Sequence, residues 1–258
     1  MAGRFSVLSD LDGVLHRGSR PLPGCRRFVR DLQRSGRKYL FLTNSPDHSP
    51  VELHKSLKKL GMDIPESCIH TSAQTMASFL RAHGKRPKVY MVGSRALHDA
   101  LAGIGAQFTD RRPDYVVFAS GGSYGIDEID KAIELVAHGA KFITASDEKK
   151  SLTENGIKAG CGAIIAPIES ATGCKAYVVG KPNHLMIRNV EREFGINPLE
   201  TLMIGDSLDT DIDVGEQAQM TTVLVLSGIT SREQLKHSAY EPDYVFENVG
   251  CIKLGELP

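Results

Sequence analysis

Residues 5–13 read FSVLSDLDG, an apolar run that stops on two aspartates, Asp10 and Asp12, and a glycine. A short, nearly continuous apolar run suits a strand covered on both faces, and such strands belong to parallel sheets flanked by helices. The pattern recurs outward along the chain, at 38–43, 88–92, 115–119, 141–144, 176–179, 201–204, 222–226 and 244–246. Between these runs lie helical spacings of apolar residues, at 25–35, 51–60, 72–82, 96–102, 127–137 and 185–194. This rhythm predicts an α/β fold, a doubly wound, Rossmann-like parallel sheet with right-handed crossovers. Polar breaks at 84–87 and 170–175 enclose a βαβα set of their own. The expected organisation is a core of residues 1–83 and 176–258, with residues 84–175 inserted as a second α/β domain.

The composition fits a globular chain. Of 258 residues, 41% are hydrophobic and 24% charged, close to the average for folded domains. Lys plus Arg number 31 and Asp plus Glu 31, so no net field draws the chain to a nucleic acid polymer or an anionic membrane. No apolar run approaches the about 18 residues that cross a bilayer. An acidic motif by Asp10 leaves no room for a signal peptide. Five cysteines, Cys25, Cys68, Cys161, Cys174 and Cys251, are far apart and lack CxxC spacing. They read as free thiols of a reducing compartment, and a cytoplasmic location is expected.

Ligands of open α/β sheets gather beyond the carboxyl ends of the strands. Those ends carry Asp10-Leu11-Asp12-Gly13, Thr43-Asn44-Ser45, Gly180-Lys181-Pro182, and Gly205-Asp206 followed by Asp211. Each has an ordinary reading alone: a turn, a helix cap, a solvated loop, or acids at a helix start. Together they bring carboxylates, a hydroxyl and one lysine to a single rim. Carboxylates without His or Cys suit a hard cation with oxygen ligands, Mg²⁺ above all. A lysine and a hydroxyl facing the same spot suit a phosphoryl group. Asp10 and Asp12, two apart at a strand end, point the same way. One can attack phosphorus while the other serves as acid and base, which is phosphoryl transfer through an aspartyl-phosphate.

These residues carry a resemblance. The stretches at 5–24, Leu42-Thr43-Asn44, 177–182 (YVVGKP) and 203–212 (MIGDSLDTDI) match, in order, the four motifs of the haloacid dehalogenase superfamily. The chain resembles its NagD-like phosphatases, which carry an inserted α/β cap of type C2A. The resemblance implies Asp10 as nucleophile and metal ligand. Asp12 would protonate the leaving alcohol, activate water and ligate Mg²⁺ through its carbonyl. It also implies that Thr43, with Asn44 beside it, binds the phosphoryl oxygens, that Lys181 neutralises charge, and that Asp206 is the third metal ligand. Asp211 would order metal-bound waters or Lys181. An aspartate at position 12 separates phosphatases from dehalogenases in this superfamily.

In the resembled group one cap loop touches the leaving group, here expected at 145–162. Its 153–156 and 160–163 stretches fit the family pattern, but its start does not. Relatives read Thr-Asn-x-Asp, whereas this chain has Ala145-Ser146-Asp147-Glu148. Ser146, Asp147 and Glu148 are thus the candidate specificity residues, and Lys149-Lys150 reads as a solvated pair. Gly121-Gly122-Ser123-Tyr124-Gly125 lacks the spacing of a phosphate-binding loop and reads as a turn. The expected substrate is a small phosphorylated metabolite, first a nucleoside monophosphate such as UMP. Sugar phosphates, phosphoglycolate, glycerol phosphate and pyridoxal phosphate are the alternatives. A phosphotransferase shares every motif, and a non-catalytic phospholigand sensor would have no need of the nucleophile. Homodimers are frequent in the resembled group, and no stripe in the sequence marks such an interface.

Overall fold

A computed structural model describes residues 5–153 and 155–258. Glu154, within the 153–156 stretch matched above, lies outside the described residues. The chain opens with β1 (Ser6–Asp10), a short hairpin of β2 (His16–Arg17) and β3 (Arg20–Pro21), then α1 (Cys25–Arg34), β4 (Tyr39–Thr43), α2 (Pro50–Lys59), β5 (Ile69–Thr71) and α3 (Ser72–His83). The inserted region follows as β6 (Lys88–Val92), α4 (Arg95–Gly103), β7 (Gln107–Phe108), β8 (Tyr115–Phe118), α5 (Ile126–Ala137), β9 (Lys141–Thr144), β10 (Lys150–Thr153), β11 (Gly156–Ala159) and α6 (Cys161–Thr172). The last part holds β12 (Tyr177–Val178), α7 (His184–Phe194), β13 (Thr201–Gly205), α8 (Asp213–Gln217), β14 (Thr221–Val225), α9 (Arg232–Lys236) and β15 (Tyr244–Phe246).

Two parallel sheets result. The core sheet runs β15-β14-β13-β1-β4-β5. From β1 the chain moves outward through β4 and β5, and from β13 it moves the opposite way through β14 and β15. The order therefore reverses between β1 and β13, which opens a crevice at their carboxyl ends. Apolar clusters cover both faces: Val7, Phe28, Phe41 and Ile204 share one, and Leu8, Leu42, Met186 and Met203 the other. Successive residues of β1, Val7 and Leu8, thus face opposite layers, which explains its unbroken apolar run.

The cap sheet runs β12-β9-β8-β6-β7, again all parallel. Here one expectation is corrected: the run at 176–179 does not join the core sheet. Tyr177 and Val178 pair with Ile143 and Thr144 of β9, and the backbone stays attached through Val179 and Gly180, whose N–H groups donate to Thr144 and Ala145. Tyr177 also stacks on Phe79 of α3 at 5.1 Å between ring centroids. The chain therefore leaves the cap sheet beyond the junction expected at 175/176, and Lys181 is delivered from a cap edge. A short apolar run carries no mark of which sheet will accept its hydrogen bonds.

Candidate active site

The crevice between β1 and β13 meets the underside of the cap in a cleft of about 290 Å³. Asp10, Thr43, Asn44, Lys181 and Asp206 line its floor, and Ser146 and Glu148 its roof. Asp10 ends β1 with its side chain buried. The buried Lys181 Nζ donates to Asp10 Oδ1 at 2.7 Å and to Asp211 Oδ1 at 2.8 Å. Asp211 lies on a single π-helical turn, Leu208–Ile212. Its other oxygen accepts from the backbone N–H groups of Asp206 and Ser207 at 3.1 and 3.3 Å. Both Asp211 oxygens are thereby occupied, and of its two expected jobs the structure displays the one on Lys181.

Asp206 is set by close backbone approach. Its Oδ2 accepts from the Ile229 N–H at 2.7 Å, and a Cβ on Gly228 would fall 1.7 Å from that oxygen. One carboxylate oxygen from each of Asp10, Asp206 and Asp211 lies within 4.8 Å of the other two. Asp12 contributes no side-chain oxygen to this cluster. It is exposed at the cleft rim with Oδ1 at 3.3 Å from His16 Nδ1. His16 thus sits where it orients Asp12, a role signalled only by the spacing of four residues.

Electrostatics show a deficit of positive charge. Burial pushes the Asp10 carboxyl well above its usual range; Lys181 pulls it back, and Asp211 and Asp206 push it further up. Burial, then Asp211, pushes Asp206 up to about 8. For Lys181 burial works against the charge, but Asp10 and Asp211 outweigh it and hold the ammonium above its ordinary range. Three buried carboxylates therefore share one ammonium. An oxygen-only donor set with this excess of negative charge fits a hard divalent cation between Asp10 and Asp206.

Thr43 ends β4 beside Asp10 and is buried, its Oγ1 accepting from the Ser45 N–H at 3.0 Å. Asn44, expected beside Thr43 at the phosphoryl group, lines the cleft and uses its side chain on Lys181. Its Nδ2 donates to the Lys181 carbonyl at 2.9 Å, and its Oδ1 accepts from the Lys181 N–H at 2.7 Å. The side-chain amide thus holds the Lys181 backbone, a pairing that a strand-end motif cannot reveal.

In the roof, Ser146 Oγ donates to Glu148 Oε2 and accepts from the Glu148 N–H, both at 3.0 Å. Burial pushes the Glu148 carboxyl up, while Lys181 and the Ser146 hydroxyl pull it down. Asp147, the third expected residue, is exposed and stays out of the cleft lining. Its carbonyl instead lies where a Cβ on Gly162 would come within 2.0 Å.

Several cleft residues escaped the sequence reading. The expected loop contains an antiparallel hairpin, β10–β11, whose Lys150, Ser151, Thr153 and Lys158 line the cleft. Asn155-Gly156 is a weak signal for it, because Gly156 pairs with Thr153 and the dipeptide does not fill the two central turn positions that its hairpin preference needs. At the cap–core junction, Ser120 Oγ donates to Asp47 Oδ1 at 2.8 Å and accepts from Cys161 Sγ at 3.4 Å. A Cβ on Gly121 would come within 2.6 Å of that Asp47 oxygen, so the glycine turn serves docking of cap on core.

Known proteins share this plan. The haloacid dehalogenase-like hydrolase family matches residues 7–107, and a HAD-hydrolase-like family matches 178–251. The chain is 35% identical over 252 residues to a dihydroxyacetone phosphatase of Corynebacterium glutamicum, covering 98% of this chain and 92% of that one. It is also 35% identical to the ribonucleotide monophosphatase NagD of Escherichia coli K12, covering 96% and 97%. The solved NagD structure superposes with a TM-score of 0.90 at 34% identity, over 97% and 99% of the two chains. A glycerol phosphate phosphatase of Mycobacterium tuberculosis, solved in complex with magnesium, superposes at 0.87 with 27% identity, over 95% of this chain and 75% of that one. With family models matching both ends of the chain and 35% identity over nearly its whole length, this chain belongs to the haloacid dehalogenase superfamily, in its NagD-like subfamily IIA, and is a phosphomonoester hydrolase of small phosphorylated molecules.

Proposed function

We propose that the hydrolase is Mg²⁺-dependent and works through an aspartyl-phosphate on Asp10. The supporting observation is Lys181, buried between Asp10 and Asp211 at 2.7 and 2.8 Å. Lys181 occupies Asp10 Oδ1 and leaves Oδ2 available to attack phosphorus. Thr43 and the Lys181 ammonium hold the phosphoryl oxygens during attack. Asp12, exposed at the rim, gives a proton to the departing alcohol and then takes one from the water that cleaves the aspartyl-phosphate. Phosphate leaves and Asp10 is regenerated. Asp10 and Asp206, with the Asp12 carbonyl, would hold Mg²⁺, which when bound supplies charge neutralisation for the incoming dianion.

On resemblance the first substrate is a nucleoside monophosphate such as UMP, and NagD's name supports it. A triose or sugar phosphate is the second reading, supported by the names of the dihydroxyacetone phosphatase and of the Bacillus subtilis sugar-phosphatase AraL. The test is phosphate release from p-nitrophenyl phosphate, UMP and triose and sugar phosphates, with Mg²⁺, with chelator, and with Asp10→Asn. Release should vanish with chelator and in Asp10→Asn. Turnover that survives the Asp10→Asn change would remove the aspartyl-phosphate.

A further inference from the structure

The hydrolytic reading gives Arg17 no task, although its side chain lines the cleft. Arg17 is the second residue of β2, in the hairpin that follows Asp12, and it is half-buried. Its Nη2 reaches a segment 210 residues further along the chain. There it donates to the Ser227 carbonyl at 2.8 Å and to the Gly228 carbonyl at 3.4 Å. Nε is buried without a hydrogen-bond partner. A buried guanidinium N–H left unbonded is unfavourable, so the fold tolerates a cost at Nε to keep Nη2 on those two carbonyls.

Those carbonyls belong to the loop that grips Asp206. Between β14 and α9, the Ile229 N–H donates to Asp206 Oδ2 at 2.7 Å, and the Thr230 N–H donates to the Asp206 carbonyl at 3.1 Å. Gly13 crowds the same carboxylate oxygen: a Cβ there would meet it at 2.1 Å, and one on Gly228 at 1.7 Å. The place of Asp206 thus depends on how closely the 227–229 backbone is drawn against the 13–17 segment. Two side chains draw it in. Ser227 Oγ donates to the Gly13 carbonyl at 2.7 Å, and Arg17 holds the Ser227 and Gly228 carbonyls from β2. The Arg17 bond to Ser227 is charge-assisted, a class roughly twice as strong as neutral hydrogen bonds.

We propose that Arg17 is a positioning residue of the metal site, which holds the 227–229 loop against Asp206 and so sets the affinity for Mg²⁺. This rests on the reading that Asp10 and Asp206 hold Mg²⁺. Arg17 acts through the loop, so no contact with substrate is required of it. Groups that orient a metal ligand commonly set about 10–100-fold of metal affinity.

Calorimetric titration of the metal-free protein with Mg²⁺, without substrate, tests it. Arg17→Met should weaken binding by about 10–100-fold, and Arg17→Lys, which keeps a charged donor on a shorter stem, should lose less. Should Arg17→Met not fold, Arg17→Lys carries the comparison alone, with a smaller loss expected. Gly228→Ala drives a Cβ into the space of Asp206 by itself, so Arg17→Met added to it should cost little more, and the two effects should fall well short of adding. In turnover, raising Mg²⁺ should recover most of the activity that Arg17→Met loses. Mg²⁺ affinity equal to that of the unaltered protein in the Arg17 variants would overturn the proposal, and so would full additivity with Gly228→Ala. A raised KM for the ester at saturating Mg²⁺, with metal binding unchanged, would place Arg17 on the substrate instead. An unaltered protein that takes up no Mg²⁺ would remove the metal reading and this proposal with it, a result distinct from equal binding in protein and variant.

Discussion

Gly13 carries a φ of +77°, and a Cβ built on it would meet Asp206 Oδ2 at 2.1 Å. The sequence shows an Asp-Gly pair and so predicts a turn; the close approach to a carboxylate almost two hundred residues away is not legible there. Gly13→Ala is expected to displace Asp206 and weaken Mg²⁺ binding by about tenfold or more, read by calorimetry. The strained backbone alone would cost only about 1 kcal/mol of stability, so an unfolding curve separates the two effects. Asn44 makes a second case. Asn44→Asp keeps the shape but loses the donor to the Lys181 carbonyl and adds a charge beside it. Misplacing Lys181 should lower kcat by about 10–100-fold, with KM little changed, since the ammonium acts on the developing charge. An unchanged kcat would remove Asn44 from the positioning of Lys181.

At the scale of elements, strands long and apolar enough to be covered on both faces were readable, as β1, β4, β8, β13 and β14 show. So were amphipathic helices such as α1 and α7, because the period of the apolar residues states which face is buried. What escaped has physical reasons. β5 has three residues with His70 in the middle, α6 holds Pro167 inside a helix, and β11 is exposed along its whole length. The site motifs were legible because each follows a strand. The Asn44–Lys181 and Asp47–Ser120 contacts were not, because they join elements distant in sequence. His70 gives β5 a pH dependence. Its Nε2 meets Thr75 Oγ1 at 3.0 Å, while Nδ1 is unpartnered and 4.0 Å from Glu193 Oε2. Burial lowers its pKa from 6.5 to about 4, so between those values the unfolded chain binds the extra proton. His70 thus supports the fold above pH 6.5, and that support is lost as pH falls to about 4, amounting to about 3 kcal/mol. Unfolding curves across this window should be flatter in pH for His70→Gln; equal slopes would refute the shift.

For the whole molecule, cap and core are joined by more than two chain crossings. Met76, Ala77 and Leu80 of α3, which follows a core strand, bury against Val89, Leu97, Tyr115 and Ile143 of the cap in one apolar cluster. Val179, on the return from the cap, belongs to the same cluster, two residues before the Lys181 that holds Asp10. The apolar layer under the cap sheet is therefore completed by α3, and a cap unfolding alone would strip that face bare. Apolar burial is the main favourable contribution to folding, so the cap should have little stability apart from α3. One cooperative unfolding transition is expected by calorimetry, with calorimetric and van't Hoff enthalpies in agreement. Met76→Ala leaves a cavity at the shared cluster and should cost about 2–5 kcal/mol. If the cluster couples the two sheets, that variant shifts the single transition down, or splits it with the cap melting first. Two resolved transitions in the unaltered protein would show that α3 does not bind cap to core, and that Lys181 rests on the core alone.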